Sequence, residues 1–372
     1  MKEPVEWSER LVLLALHEAK GIGWRSIRKA LASGSLVQCV HYAEAQWREL
    51  GLSGAQAASA RSVLMHAEAA AASLERYARM GVRVITMLDD DYPELLRETH
   101  EPPWVLYAKG RVELLKTPAL ALVGTRTPSA YGRQATIRLA RELAARGLTI
   151  VSGLAKGIDR CAHEGALTNG GATIAVLGTP IDIVYPAEHR ALFACIAQQG
   201  LLVSEYPIGT RCHAGLFPQR NRIIAGLSVG TAVVEAAQRS GSLITVDHAI
   251  TMNREVFAVP GPVQSRYSEG THQLLKNGAK LLAEAEDVME EFIHRPDILG
   301  RLQPSKSAPP PPETKLTGDE VRLLRLVREK PGTADELHER SGMPFGLLHA
   351  VLINLTIKRR IEQHPGFIYR AF

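Results

Sequence analysis

The residues best placed to do chemistry lie in FPQRNRIIAGLS, Phe217 to Ser228. Arg220 and Arg222 flank Asn221, and an apolar helical run follows at once. Two fixed positive charges and an amide are therefore expected where a helix starts. Guanidinium forks match phosphate oxygens, and helix N-termini favour negative charge, so the stretch reads as an anion site. A single Arg is more often a solvated charge or half of a salt bridge, so the reading needs support from elsewhere. The word VGTRTPSAYG supplies Gly124, Thr125 and Arg126, and SGLAKGID supplies Ser152, Gly153 and Lys156. EAAQRSGSLIT adds Arg239, Ser240, Gly241 and Ser242. Glycines let backbone amides approach an anion and hydroxyls donate to it, which makes phosphate the expected ligand.

These loops must be held by something, and the chain supplies a regular frame. From Pro118 onward, apolar runs alternate with helical patterns: ALALVG, LTIVSG, ATIAVLG, LLVSE, GTAVVEA and EVFAVPG, closing on KLLA. Continuous apolar strands separated by helices predict a parallel sheet covered on both faces, an α/β, Rossmann-like, doubly wound fold. Ligands in such sheets bind outside the carboxyl ends of the strands, where these loops fall. Upstream, GVRVITM reads as a strand and EPPWVLYAKG as an edge segment limited by its prolines. The first eighty residues are helical, with KGIGWRS as a glycine turn that either offers amides to a phosphate or simply joins packed helices. Four regions are expected: a helical domain over 1–80, the Rossmann-like domain over 81–294, a stiff linker over 295–315 around QPSKSAPPPPETK, and a small unit over 316–372. Three short helices and a terminal hairpin make that last unit winged-helix-like. Its third helix, Pro344 to Lys358, is mostly apolar, so duplex DNA and a protein stay open as its partner.

What is missing narrows the chemistry. No GxxxxGK[ST] occurs, and the near-match GIGWRS follows no strand, so neither a P-loop nor a dinucleotide fingerprint is present. Cys161 with His163 and Cys212 with His213 lack a matching second pair, so no metal is expected. No GxSxG elbow is present. Glu235, Asp182 and Asp159 read as carboxylates that orient Arg or cap helices. No catalytic residue and no cofactor are assigned: a phosphate cradle without a general base favours binding over turnover. The net charge of +5 over 372 residues permits a polyanionic partner without requiring one. The four cysteines are scattered, no run of eighteen apolar residues exists, and the polar start carries no signal-peptide core, which together predict a cytoplasmic protein with no membrane contact.

Cations recur on several loops, more than a mononucleotide needs, so a row of phosphates along a strand is the better fit. Phe217, directly before the Arg cluster, is the first candidate for stacking on an unpaired base. At this point the sequence resembles the DprA/Smf family of DNA-processing proteins. The resemblance rests on VGTRTPSAYG, SGLAKGID, NGGATIAVLGT, SEYP, FPQRNRIIAGLS, VVEAAQRSGSLIT, REVFAVPG and GTHQLLKNGAKLL, in the family's order from about Leu122 to Leu282. It implies a helical domain like a sterile alpha motif before the sheet and a winged helix after it. It further implies a homodimer that binds single-stranded DNA, protects it during natural transformation and hands it to the recombinase RecA, with no enzymatic step. Carried over by motif, the phosphate contacts would be Gly124, Thr125, Arg126, Ser152, Gly153, Arg220, Asn221, Arg222, Ser240, Gly241 and Ser242. Lys156 would be either a further contact or a cap on a carbonyl. The segment with His272 and Leu281 would form the dimer and RecA-facing edge. Where some members carry Lys after the Tyr-Pro of the third loop, this chain has Ala187. The rival reading is a nucleoside monophosphate hydrolase of the lysine-decarboxylase-like group, with Glu235 as acid/base, although that group's PGGxGTxxE word is absent. A third reading, a pure protein adaptor, predicts no salt-sensitive DNA affinity.

Overall fold

The computed structural model describes residues 5–302, 316–357, 360–364 and 368–371. It divides into two units, and the proline block at 303–315 lies outside the described residues. Packed structure continues up to that block: Pro296–Leu299 forms a helical turn with Ile298 buried against the sheet.

The first unit is built on nine strands: β1 (Arg83–Thr86), β2 (Val105–Gly110), β3 (Ala119–Val123), β4 (Thr149–Ser152), β5 (Thr173–Val176), β6 (Leu201–Ser204), β7 (Gly230–Val233), β8 (Glu255–Ala258) and β9 (Lys280–Leu281). Their order is β1-β2-β6-β5-β4-β3-β7-β8-β9. From β6 to β9 every pairing is parallel, whereas β1 pairs antiparallel with β2 and β2 antiparallel with β6. The chain winds outward from β3 to β6, then returns to the other side of β3 with β7. That reversal opens a crevice beyond the carboxyl ends of β3 and β7.

The expectation of an edge segment at EPPWVLYAKG is corrected. Pro102 and Pro103 precede β2 rather than interrupt it, so its amides are free to pair on both sides, and β1 takes the edge. Buried Val105, Leu106, Tyr107 and Ala108 pack both faces of this inner strand.

The N-terminal helices, beginning with Glu9–Glu18 and Trp24–Ala32, have their own apolar stripes. Those stripes close on the sheet: Leu14, Ile27, Trp47 and Tyr77 share one core with Val84, Tyr107, Ala175 and Leu202. Gly21 makes the turn between the first two helices at φ +79°, a left-handed conformation that glycine adopts without strain.

The second unit has helices Gly318–Glu329, Ala334–Ser341 and Phe345–Ile357, and a hairpin of β10 (Ile361–His364) with β11 (Ile368–Ala371). Thr317 and Thr333 open the first two helices with capping boxes to Glu320 and Glu336. Leu323, Val327, Leu337, Leu348, Leu352 and Leu355 form its core. Three helices and a two-stranded wing are present, as the sequence predicts.

Candidate nucleic-acid interface

A cleft of about 200 Å³ lies at the crevice between β3 and β7. The loop after β3 brings Gly124 and Arg126 to it, and the loop after β7 brings Ser240, Gly241 and Ser242. The helix after β6 contributes Phe217, Arg220 and Asn221. A smaller cavity of about 50 Å³ adjoins it, sharing Arg126, Phe217 and Arg220, and adds Gly153, Lys156 and Tyr185. Residues drawn from separate loops of the sequence are thereby gathered on one continuous surface.

The opening expectation about the helix start needs correction. The helix runs Leu216–Gly226, so Arg220 stands more than a turn inside it rather than at its N-terminus. Apolar Leu216 is buried and begins the helix earlier than the apolar run from Ile223 indicates. Arg220 and Arg222 consequently point to different places. Arg220 is buried and donates from Nη1 to the carbonyl of Gly153 at 2.6 Å and to that of Val176. Its Nε has no hydrogen-bond partner among the described residues. Arg222 instead pairs with Glu205 at 2.5 Å and lines a different cleft, on the side of the N-terminal helices.

Two more expected contacts are turned away from the cleft, and a third, Lys156, lines the adjoining cavity but is already paired. Ser152 is fully buried at the end of β4, and its hydroxyl donates to the Leu122 carbonyl at 2.6 Å, so it faces the sheet and not a ligand. Thr125 does not line the cleft: its N–H donates to the Glu235 carbonyl at 2.7 Å and its hydroxyl accepts from the Thr127 N–H at 3.3 Å. Lys156 forms an ion pair with Glu188 at 2.9 Å, both half-exposed, so it is neither a carbonyl cap nor an unpaired charge. Exposed Arg126 has no ion-pair partner among the described residues.

Beneath the surface, one acid and one histidine set the loop after β4. Asp159 is buried and accepts from the Gly153 N–H at 3.1 Å and the Ala155 N–H at 3.3 Å. Burial pushes its carboxyl above the usual carboxylate range, and the Arg220 guanidinium and those amides oppose the shift. Asp159 thus holds the loop through its amides and meets Arg220 only through its field, with no ion pair to an Arg among the described residues. His163 Nε2 accepts from the Leu154 N–H at 3.2 Å, so its proton sits on Nδ1, which donates to Thr173 Oγ1 at 2.7 Å. Burial, with Arg220 and His189 nearby, pulls His163 down to about 3, so it is neutral. Sequence reading weighed His163 only as a metal ligand; the i to i+4 spacing from Asp159 to His163 on one helix was the signal that both face the same loop.

Glu235 is buried, and both carboxylate oxygens are engaged: one accepts from Ser129 Oγ at 2.5 Å, the other from the Ser129 N–H at 2.9 Å. It clamps the β3 loop to the end of β7. Phe217 packs over Gly178 and against the ring of half-exposed Tyr185, with centroids 4.9 Å apart. His272 donates from Nε2 to the Gly261 carbonyl at 3.0 Å, and Leu281 is 52% exposed on the edge strand β9.

The fold and cleft define a class: a doubly wound domain with a phosphate-type crevice at its switch point, followed in the chain by a winged helix. Comparison with known proteins makes this specific. The family model for DNA recombination-mediator protein A matches residues 83–293, and that for the DprA winged helix domain matches 307–366. The chain belongs to the DNA recombination-mediator protein A family, also called DprA or Smf. It is 40% identical over 280 residues to Protein Smf of Escherichia coli, covering 74% of each chain. It is 46% identical over 207 residues to DNA processing protein DprA of Streptococcus pneumoniae, covering 56% of this chain and 73% of that one. The solved structure of the S. pneumoniae protein superimposes with a TM-score of 0.65 at 36% identity, covering 77% of this chain and 99% of that one. A second solved structure concerns the single-stranded DNA binding mode of DNA processing protein A from Helicobacter pylori. It matches with a TM-score of 0.51 at 34% identity, over 57% of this chain and 96% of that one.

Proposed function

We propose that this protein binds single-stranded DNA along the β3–β7 crevice and acts there as a recombination mediator. The observation that carries the reading is the convergence of unpaired Arg126, Asn221 and the Ser240–Ser242 turn on one cleft. The name of the H. pylori relative's structure, which specifies single-stranded DNA, supports the choice of strand over mononucleotide. Gly124 and Gly241 let backbone reach the cleft, Arg126 supplies mobile charge, and Arg220 with its unpartnered Nε supplies a fixed one. Phosphates carry no base identity, so binding tolerates sequence. As the family resemblance implies, the strand is passed to RecA during natural transformation by a cytoplasmic homodimer whose edge includes Leu281. The winged helix serves duplex DNA or a protein partner. No turnover is part of this reading: Glu235, with each carboxylate oxygen accepting from Ser129, serves as a clamp on the β3 loop rather than as an acid/base.

Fluorescence anisotropy of a labelled single-stranded oligonucleotide across a salt series tests this. Log affinity is expected to fall with log salt at about 0.7 per phosphate neutralised. Arg126→Ala is expected to lower affinity severalfold and to reduce the slope by about one such increment, and Asn221→Ala to lower affinity with little change in slope. Binding indifferent to both substitutions would remove the site assignment. Nucleoside monophosphate turnover lost in Glu235→Gln would restore the hydrolase reading.

A further inference from the structure

A second and larger cleft, about 730 Å³, lies where the N-terminal helices meet the sheet. Its wall carries Trp24 and Trp104, whose rings stack at 5.4 Å with only 20° between their planes. Both indole N–H groups are already used: Trp24 donates to the Pro102 carbonyl at 2.7 Å and Trp104 to the Trp24 carbonyl at 3.1 Å. The indoles therefore offer a ligand no donors; Trp104 is buried, and the exposed Arg28 guanidinium lies over the ring of half-buried Trp24, 5.3 Å from its centroid. The polar wall is the Arg222–Glu205 pair, whose side chains are only 17% and 12% exposed. Arg222 Nη1 is buried with no hydrogen-bond partner among the described residues. His17 donates from Nε2 to the Glu205 carbonyl at 2.9 Å, and burial holds both His17 and His248 below the usual imidazole range. The cleft thus presents an aromatic wall, with the Arg28 guanidinium over Trp24, beside one acceptor-and-donor pair. Pro218 and Ile244 line both this cleft and the phosphate crevice, so the two share a ridge.

We infer that this cleft is a base-binding subsite, taking an unpaired nucleobase of the same strand whose phosphates lie in the crevice across the Pro218–Ile244 ridge. A nucleobase is the ligand that uses every feature: a planar π-face to replace the exposed Arg28 guanidinium over Trp24, and an edge with both donors and acceptors for Glu205 and Arg222. A phosphate would leave the indoles unused and face the Glu205 carboxylate. An aliphatic ligand would leave the buried guanidinium nitrogen without an acceptor. The two-residue step from Arg220 to Arg222 along one helix explains how neighbouring arginines serve neighbouring subsites.

The inference rests on the single-strand reading above, and the test separates the two. Binding of the full chain is measured to two oligonucleotides of equal length: poly-deoxythymidine, and the same phosphodiester backbone with abasic sites throughout. The base-bearing strand is expected to bind tighter by roughly tenfold or more, from stacking. It is also expected to quench tryptophan emission in the unaltered protein, while the abasic strand leaves emission unchanged. Trp24→Leu is expected to lose most of that preference while holding the abasic strand as tightly as before, and Phe217→Leu to leave the quenching in place. Unquenched emission on tight binding of the base-bearing strand overturns the subsite and leaves the phosphate crevice standing. So does a base preference unchanged in Trp24→Leu but lost in Phe217→Leu. Failure of both strands to bind would instead remove the reading on which the subsite rests.

Discussion

A side chain at Gly153 would collide with the Arg220 guanidinium. The glycine is there so that a buried cation can lie against the backbone and bond to the Gly153 and Val176 carbonyls. Arg220 is tied down by these carbonyls and by the field of Asp159, so it acts as a fixed charge rather than a reaching one. Gly153→Ala overpacks this junction. The expected outcome is a loss of about 1–3 kcal/mol in urea unfolding, with weaker single-strand binding because Arg220 must shift. Arg126 behaves oppositely: exposed and without an ion-pair partner among the described residues, it should change affinity without changing stability. An Arg126→Ala variant with an altered unfolding midpoint would show that this division of labour is wrong.

At the scale of elements, the loop after β4 is the part whose shape depends on a protonation state. Leu154 sits at φ +55°, its N–H bonded to His163 Nε2 and its carbonyl to the buried His189. Protonating Nε2 would set two donors against each other. In the unfolded chain His163 takes a proton near pH 6.5, while in the fold it resists until about 3. The unfolded state therefore binds more protons in that window, and stability falls as pH drops from about 6.5 towards 3. A single such group supplies a slope of up to about 1.4 kcal/mol per pH unit, and His17 adds to it with the same sign. Urea midpoints measured from pH 7 to pH 4 should decline steeply in the unaltered protein and more gently in His163→Gln. Equal slopes would assign the acid sensitivity to other groups. The helix that carries Arg220, Asn221 and Arg222 shows why element boundaries matter: beginning at Leu216 instead of Arg220, it turns its two arginines toward two clefts.

For the whole molecule, the sheet has one edge protected and one open. β1 is covered by the N-terminal helices, which share its core, whereas β9 is two residues long and both are exposed. An exposed Leu281 beside unpaired strand edge is suited to meeting a second copy of itself. Light scattering is expected to give two chains per particle, and Leu281→Arg one, with the urea midpoint nearly unchanged. A particle mass unaffected by the substitution would move the interface elsewhere. If the dimer forms there, each particle carries two crevices, which lets one assembly hold two stretches of a strand.

The sequence by itself determined the frame. The continuous apolar runs of β3 to β8 have no polar face, so only a sheet covered on both sides accommodates them, and the glycine and serine loops then fall at the carboxyl ends. Gly124, Arg126, Asn221 and Ser240–Ser242 were legible for that reason. Only the tertiary structure decided how shared loops divide their residues. Ser152 and Thr125 look like donors to a ligand in the sequence, but nearby carbonyls and amides satisfy them first, because buried polar groups take the partner at hand. Arg222 was separated from Arg220 by the helix rotation between them. The aromatic cleft was not legible at all: Trp24, Trp104 and Arg222 are far apart in the chain, and only the docking of the N-terminal helices on the sheet brings them to one wall.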